Sequence, residues 1–239
     1  MADRFPTTQW HLVLMAGQGV ADQSADALAT LCRVYWYPIY AFVRRQGYGV
    51  DEAQDLTQGF FTRLLERHFL NDCRQERGRF RSFLLASLKH FLANERDWVR
   101  AQKRGGGVPI VSLDDAIRLG ESRYSAEPRH DITPETVFER QWARSLLEHV
   151  LTRLQSEFTE AGKAGQFERL KAFLTGDDSR IPYRRLSEDL AMSEGALKVA
   201  VHRLRRRFRE VLRYEISQTV AHPDEVREEI RYLMSVIGR

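Results

Sequence analysis

Apolar residues recur every three or four positions along most of this chain, and no stretch alternates convincingly between apolar and polar residues. The first pattern lines up apolar side chains on one face of an α-helix, whereas regular alternation is typical of a half-buried β-strand. No apolar run reaches the length of about 18 residues that a membrane span requires. The sequence therefore predicts an all-α protein with no membrane-spanning segment.

A segment rich in helix-breaking residues lies in the middle of the 239-residue chain. It begins with three glycines at 105–107, contains Pro109 and Pro128, and carries few apolar residues. Such a composition is typical of a flexible linker between two small helical domains. The predicted parts are an N-terminal extension (1–24), a first domain (25–104), the linker (105–133), a second domain (134–213) and a C-terminal helical extension (214–239).

Three helices are predicted in the first domain. The first covers 25–45, and we expect Pro38 to break it into two pieces, because proline lacks the backbone N–H that a helix interior uses. The third covers 80–100 and carries an apolar stripe. The second is expected to bury the stripe Leu56, Phe60 and Leu64.

The charges of the chain are distributed unevenly, although its formal net charge is only +4. Seven acidic residues lie between Ser112 and Glu139, whereas seven basic residues and one acidic residue lie between Lys198 and Arg213. A dense group of cations favours a polyanion as its partner. The late, basic part of the chain is therefore a candidate nucleic-acid interface.

Two short helical patterns with a turn between them indicate a helix-turn-helix in the second domain. Residues 183–190 predict a short helix, and 191–193 predict a tight turn in which Ser193 is the N-cap of the next helix. The apolar stripe of that second helix is Leu197, Val201, Leu204 and Phe208. At about 100° per residue, the opposite face carries Gly195, Val199, His202, Arg203 and Arg206.

Such a face is able to read DNA, since Arg pairs bidentately with guanine and an apolar side chain contacts the thymine methyl group. The flanking cations suit phosphates and are Lys198, Arg205, Arg207 and Arg209. The alternative is an ordinary helix with a solvated basic face. The short first helix, the turn and the outward arginines together favour DNA.

Three segments resemble bacterial RNA polymerase sigma factors. DEAQDLTQGFF (51–61) resembles their DAEDLxQExF stretch, and the segment from FRSFLL (80–85) to residue 104 resembles the promoter-melting helix that follows it. YRRLSEDL (183–190) and MSEGALKVAVHRLR (192–205) resemble the region that reads the −35 element. Only two sigma domains fit, as in the extracytoplasmic-function (ECF) group. Gly59 departs from the pattern, because the family usually has Glu there, and 159–166 lacks the family's usual turn motif.

This resemblance implies two partners, core RNA polymerase and promoter DNA. The clamp helices of the largest polymerase subunit would be bound by Asp51, Glu52, Asp55 and Gln58. The −35 element would be contacted by Ser193, Glu194, Lys198, Val199, His202, Arg203 and Arg206. The −10 element would be captured by the polar loop 71–79 and gripped by the helix after it, through Asn71, Asp72, Arg74, Gln75, Arg77, Arg79, Lys89, His90, Arg96 and Arg100.

Regulation by a Ser/Thr kinase or by an anti-sigma factor is compatible with the resemblance. Thr57 is a candidate phosphorylation site, because a phosphate there would restore negative charge to a helix that lacks an acid at Gly59. The alternative is that Thr57 is a half-buried helix residue. The C-terminal extension has an apolar stripe and is expected to pack on its own domain, with partner binding as the alternative; the stripe is Val226, Ile230, Leu233 and Ile237.

Other classes of function find little support in the sequence. No nucleophile–base spacing stands out, so we do not expect an enzyme. Cys32 and Cys73 have no neighbouring histidines at metal-binding spacing, and we expect neither a structural metal nor a cofactor. The N-terminus does not resemble a signal peptide, and two cysteines form no disulfide framework, so the cytoplasm is the expected location.

Two other functions remain open at this stage. The chain could be a free-standing helix-turn-helix regulator that needs no polymerase and dimerises on DNA. It could also be an adaptor whose helices bind only protein. The helix at 51–61 separates the first alternative from a sigma factor, because a simple repressor has no use for it.

Overall fold

In the computed structural model, the residues described are 21–65, 79–101, 124, 132–174 and 183–238. These residues form eight α-helices and two short 3-10 helices, and no β-strand occurs among them. The predicted all-α class is therefore confirmed for this part of the chain. The helices are α1 (Ala21–Arg45), α2 (Val50–Leu65), α3 (Phe80–Ala101), α4 (Pro134–Glu160), α5 (Ala164–Leu170), α6 (Tyr183–Asp189), α7 (Glu194–Ser217) and α8 (Val226–Ile237); the 3-10 helices are Lys171–Leu174 and Pro223–Glu225.

The described residues divide into two compact units. The first unit contains the chain up to Ser145 together with the chain from Ser217 onward, and the second is Leu146–Ile216. These boundaries differ from the predicted ones in two places. The beginning of α4 and the C-terminal extension both group with the first unit.

Helix α1 continues through Pro38, which is buried in its interior. The predicted break is wrong. Val34 and Tyr35 before the proline, and Ile39 and Phe42 after it, are all at most 1% exposed. Because both halves of the helix contribute to one core, packing keeps them in a single helix despite the missing backbone donor.

The approach of α2 to α3 is close at Gly59. A Cβ atom added there would lie 3.4 Å from Cζ of the Phe91 ring. The Phe60 and Phe91 rings also meet, with their centroids 5.7 Å apart in an edge-to-face arrangement. A side chain at position 59 would thus begin in ordinary van der Waals contact with the Phe91 ring, and this packing does not by itself require a glycine where the resemblance suggests glutamate.

Helix α4 begins as predicted, since Thr133 Oγ1 accepts a hydrogen bond from Thr136 N at 3.2 Å and Pro134 is the first helical residue. Before it, Ile132 O accepts a hydrogen bond from Arg45 Nε at 3.0 Å. The Arg44 guanidinium lies 4.9 Å from the centre of the Tyr124 ring. Two described residues of the predicted linker, Tyr124 and Ile132, thus contact α1.

The C-terminal extension contributes to the core of the first unit. Phe80 N donates a hydrogen bond to Thr219 O at 2.8 Å, and Leu233 of α8 is fully buried. Arg81 of α3 is only 5% exposed, and its Nε and Nη2 donate to the two carboxylate oxygens of Glu229 at 2.6 and 3.4 Å. This buried pair is the physical reason that the C-terminal extension groups with the first unit.

The Arg81 guanidinium has further partners. Its Nη1 donates to Glu139 Oε1 at 3.1 Å, and its Cζ lies 3.9 Å from the centre of the Tyr232 ring. Burial lowers the pKa of Arg81, but the hydrogen bond and charge of Glu229 outweigh that effect and leave the pKa above its usual range. Arg81 is therefore a charged core residue that joins α3, α4 and α8.

The core of the second unit is formed by Phe167, Leu170, Phe173, Leu197 and Leu204, each at most 2% exposed. A buried acid, Glu215, accompanies them: its Oε1 accepts a hydrogen bond from Arg153 Nη1 at 2.7 Å, and its Oε2 lies 3.6 Å from His149 Nε2. Burial raises the pKa of Glu215, but the contacts with His149 and Arg153 bring it below its usual range. Glu215 is thus ionised at neutral pH and ties α4 to α7.

Candidate nucleic-acid interface

The chain from α6 to α7 makes a tight turn with a defined hydrogen-bond pattern. Ala191 N donates to Glu188 O at 3.2 Å and Met192 N donates to Ser187 O at 2.9 Å, the two bonds that end a helix in a Schellman motif. Ala191 has a φ of 49°, in the left-handed region that favours glycine. Ser193 Oγ then accepts a hydrogen bond from Ala196 N at 3.2 Å, so Ser193 caps α7 as predicted.

Helix α7 separates an apolar face from a polar one. Leu197, Val201 and Leu204 are at most 3% exposed, and Phe208, the last residue of the predicted stripe, is half-buried. All seven residues predicted to contact the −35 element are exposed: Ser193, Glu194, Lys198, Val199, His202, Arg203 and Arg206. The two faces therefore lie where the 3.6-residue period of a helix puts them.

Val199 is the apolar member of this exposed face. Its side chain is 50% exposed, one of the few large hydrophobic residues that the described chain leaves open to solvent. Arg206 is also open, at 73% side-chain exposure, and its Nε lies 2.9 Å from Glu210 Oε1 one turn later. An ion pair that is this exposed contributes little to stability, so Arg206 can exchange Glu210 for another anion.

Two of the predicted phosphate contacts are engaged within the second unit. Arg207 forms a two-bond fork with Glu157, with both N···O distances at 2.8 Å. The hydrogen bonds from Arg207 lower the pKa of Glu157. Arg205 Nε donates to the Phe173 carbonyl oxygen at 3.1 Å. The prediction for Arg205 and Arg207 is therefore corrected, because these two side chains connect α7 to α4 and to the 3-10 helix.

An open cavity of about 700 Å³ borders the exposed face of α7. It is lined by Phe158, Leu170 and Met192 and also by Val199 and Arg203 of α7. Sequence reasoning did not predict this cavity. It depends on how α4, α5 and α7 pack, and no local pattern in the sequence encodes that packing.

The predicted −10 contacts fall into two groups. Asn71, Asp72, Arg74, Gln75 and Arg77 lie outside the described residues, and of Arg100 only its position in α3 is known. The other four side chains are described, and they lie on or next to α3: Arg79, Lys89, His90 and Arg96.

Three of these four side chains already have partners in the first unit. Lys89 Nζ lies 2.6 Å from Glu135 Oε1, and Arg79 pairs with Glu229 and Glu228 at 2.9 and 3.3 Å. Arg96 donates to Tyr48 Oη at 2.7 Å and to Gln46 Oε1 at 3.2 Å. His90 is exposed. A DNA strand at this surface would therefore have to displace carboxylates from Lys89 and Arg79.

Helix α2 carries the residues predicted to bind polymerase. Asp51, Glu52 and Asp55 are exposed and Gln58 is half-buried. Asp51, Asp55 and Gln58 follow one another at i, i+4 and i+7, so they share one side of the helix. The side opposite them is buried in the first unit. We call Asp51, Asp55 and Gln58 the acidic strip of α2.

Thr57 is neither exposed nor half-buried but lies at the centre of the buried side of α2. Its side chain is fully buried, and its hydroxyl donates to Ala53 O at 2.7 Å. The observed stripe runs through Ala53, Thr57, Phe60, Phe61 and Leu64, and Leu56 is half-buried at its side. A phosphate on Thr57 would have to enter the core, so the prediction of an accessible phosphorylation site is corrected.

Within the described part of the chain, no group of three His, Cys, Asp or Glu side chains is arranged to hold a metal ion. Cys32 lies half-buried in α1, where burial raises the pKa of its thiol to about 11. None of the described helices is long and apolar enough to cross a membrane. Cys73 lies outside the described residues.

Comparisons of the chain with protein-family models, with curated proteins and with solved structures found no match. The interpretation of this interface therefore depends on its geometry and on the sequence motifs themselves.

Proposed function

We propose that this protein is a sigma factor of the extracytoplasmic-function type, which binds core RNA polymerase and directs transcription from promoters with defined −10 and −35 elements. In this proposal α6, the turn after it and α7 form a helix-turn-helix, and the exposed face of α7 enters the major groove at the −35 element. The observation that carries the proposal is the exposure of all seven predicted contact residues, four of which lie opposite the buried apolar face of α7: Val199, His202, Arg203 and Arg206.

The chemistry of that face supports DNA as its ligand. Arg203 and Arg206 are exposed guanidinium groups that suit the O6 and N7 atoms of guanine, and Val199 suits a thymine methyl group. Lys198 is an exposed cation beside them and suits a phosphate. The N-cap at Ser193 fixes where the helix begins, and therefore which residues its first turns present.

The acidic strip of α2 supports polymerase as the second partner. Asp51 and Asp55 are exposed acids on a helix whose other side is buried, so they are free to meet a basic surface such as the clamp helices of the largest polymerase subunit. A transcription factor of this kind acts in the cytoplasm, and the proposal includes that location. Control by phosphorylation of Thr57 is not part of it, because that residue is buried.

A DNA-binding assay with variants of α7 tests the −35 part of the proposal. Replacing Arg203 or Arg206 by Ala should reduce affinity by about 1–3 kcal/mol at a position where the Arg pairs with a base, and should relax base preference there. Replacing Lys198 should weaken binding to all sequences and flatten its salt dependence. The measurement is selection of bound sequences from a randomised duplex pool by the polymerase holoenzyme.

Arg213 provides the control for this assay, since it is an exposed arginine further along the same helix. Arg213→Ala should leave the selected sequences unchanged. Unchanged selection by Arg203→Ala and Arg206→Ala would remove this face from promoter reading. Strong selection by the chain alone, without polymerase, would favour the free-standing regulator instead.

A further inference from the structure

The junction between the start of α3 and α8 contains more carboxylates than guanidinium groups. Two arginines, Arg79 and Arg81, face three acids, Glu139, Glu228 and Glu229. The cluster is therefore net negative, although the sequence assigns Arg79 to a cationic surface for DNA. Two of the three acids belong to the C-terminal extension.

The two arginines of this cluster differ in burial. Arg81 and Glu229 are almost completely buried, with side-chain exposures of 6% and 1%, so their pair is part of the core. Arg79 keeps 29% of its side chain exposed, and its second acid, Glu228, is 62% exposed. The outer pair, Arg79 with Glu228, is thus accessible to a competing anion, whereas the inner pair is not.

A carboxylate next to a guanidinium makes the same charge-assisted hydrogen bonds that a DNA phosphate would make. Glu229 Oε2 lies 2.9 Å from Arg79 Nε, and Glu228 Oε2 lies 3.3 Å from Arg79 Nη2. Both of these Arg79 nitrogens are occupied by acids of one helix. A phosphate approaching Arg79 would meet the negative charge of Glu228 first and would have to displace it.

We propose that α8 restrains DNA binding by the first unit, with Glu228 acting as an intramolecular competitor of DNA phosphate for Arg79. This inference rests on the proposed DNA-binding function of the first unit. The proposed contacts of the helix-turn-helix and of the acidic strip do not involve the C-terminal extension, and this inference gives that extension a role. The extension stays docked while it acts, because Glu229 and Leu233 keep α8 in the core.

The test compares the full-length protein with its Glu228→Gln variant. The probe is a fluorescein-labelled single-stranded oligonucleotide of mixed sequence, and its binding is measured by fluorescence anisotropy at several salt concentrations. Glu228→Gln frees Nη2 of Arg79 while Glu229 keeps its Nε, so binding should tighten a few-fold at low salt and the salt slope should steepen by at most about 0.7, the value for one phosphate contact on single-stranded nucleic acid. Circular dichroism and urea titration check that the fold is kept.

Two further variants make the result specific to the Arg79–Glu228 pair. Asp224→Asn removes the same charge from an exposed residue of the same extension and should have a smaller effect. Arg79→Gln combined with Glu228→Gln should abolish the gain, because the gain acts through Arg79. Equal effects of Asp224→Asn and Glu228→Gln, or a gain that persists without Arg79, would overturn the inference.

The outcomes separate this inference from the proposed sigma function. If the wild type binds the oligonucleotide and Glu228→Gln changes nothing, only the restraint by α8 is refuted. If the gain is present but no variant supports promoter-dependent initiation with core polymerase, the restraint stands and the sigma function fails. If neither the wild type nor any variant binds the oligonucleotide, the restraint by α8 is refuted, and initiation with core polymerase decides the sigma function separately.

Discussion

Thr57 shows that a shift of one residue, about 100° around a helix, decides whether a side chain is available for modification. The predicted stripe was Leu56, Phe60 and Leu64, but the buried side of α2 is rotated away from Leu56 and has Thr57 in its middle. The sequence pattern identified the helix and most of its buried residues correctly. It could not fix the centre of the stripe, since Thr and Leu are both compatible with the edge of a core.

The burial of Thr57 leads to a stability prediction. Thr57→Glu should lower the free energy of unfolding by about 3 kcal/mol or more, because it buries a carboxylate without a partner. Thr57→Val should stay within about 1 kcal/mol of the wild type, because only one hydroxyl hydrogen bond is lost. The measurement is urea denaturation followed by circular dichroism.

Thr62 is the matched control, since it lies on the same helix, is exposed, and donates its hydroxyl to Gln58 O at 3.1 Å. Thr62→Glu should therefore have little effect on stability. A Thr57→Glu protein as stable as Thr62→Glu would show that position 57 accepts a charge, and would reopen phosphorylation at this residue.

Ala191 holds a left-handed conformation that costs an L-residue about 1–2 kcal/mol, as its φ of 49° indicates. Ala191→Gly should raise the free energy of unfolding by about 1 kcal/mol, because glycine is the preferred residue at this position of a Schellman motif. The same change at Ala196, an exposed residue inside α7, should lower it by about 0.5–1 kcal/mol. Equal effects at the two positions, measured by urea denaturation, would contradict the turn geometry.

At the scale of the helices, the contact between α3 and α8 contains a buried ion pair, Arg81 with Glu229. Glu229→Gln should lower the free energy of unfolding by about 3 kcal/mol, because it removes the nearer of the two carboxylates from the buried Arg81 guanidinium and leaves only Glu139. Glu228→Gln, at an exposed position of the same helix, should change it by less than about 1 kcal/mol. Urea denaturation of both variants checks this. A stable Glu229→Gln protein would mean that Arg81 and α8 are not coupled in the core.

The acidic strip of α2 leads to a prediction about assembly. Asp55→Arg should abolish binding to immobilised core RNA polymerase without changing helix content, because it sets a positive charge against a basic clamp surface. Asp224→Arg is the control, as an equal change of charge at an exposed residue elsewhere in the first unit. Retention of Asp55→Arg on core at the wild-type level would exclude Asp55 from the interface.

Local patterns predicted the described helices well and their packing poorly. The start of α4 follows from Thr133 and the cap of α7 from Ser193, because each side chain accepts a hydrogen bond from the backbone N–H three residues later. Arg81 pairs with Glu229, which lies 148 residues later in the chain, and the sequence around either residue does not predict that pair. Pro38 was misjudged for a related reason, because tertiary packing on both sides of it overrides its local preference.

At the scale of the whole molecule, the formal net charge of +4 does not show which basic residues are paired with acids and which face solvent. On α7 the exposed residues Lys198, Arg203 and Arg206 face solvent, while Arg207 is paired with Glu157. The count of basic residues predicted a polyanion partner but not which cations are available to it. Which cations are available depends on the positions of the acidic residues. The fold places Glu157 of α4 beside Arg207 and Glu228 of α8 beside Arg79.

Transcription by purified bacterial core RNA polymerase from a pool of genomic fragments, with and without this protein, is the most direct test of sigma activity. Sequencing of the RNA 5′ ends should reveal transcripts that depend on the protein and start at a constant distance downstream of shared −10 and −35 sequences. Arg203→Ala should change the −35 sequence alone, and Asp55→Arg should abolish the transcripts. If the protein adds no start sites to those of core polymerase alone, it is not a sigma factor.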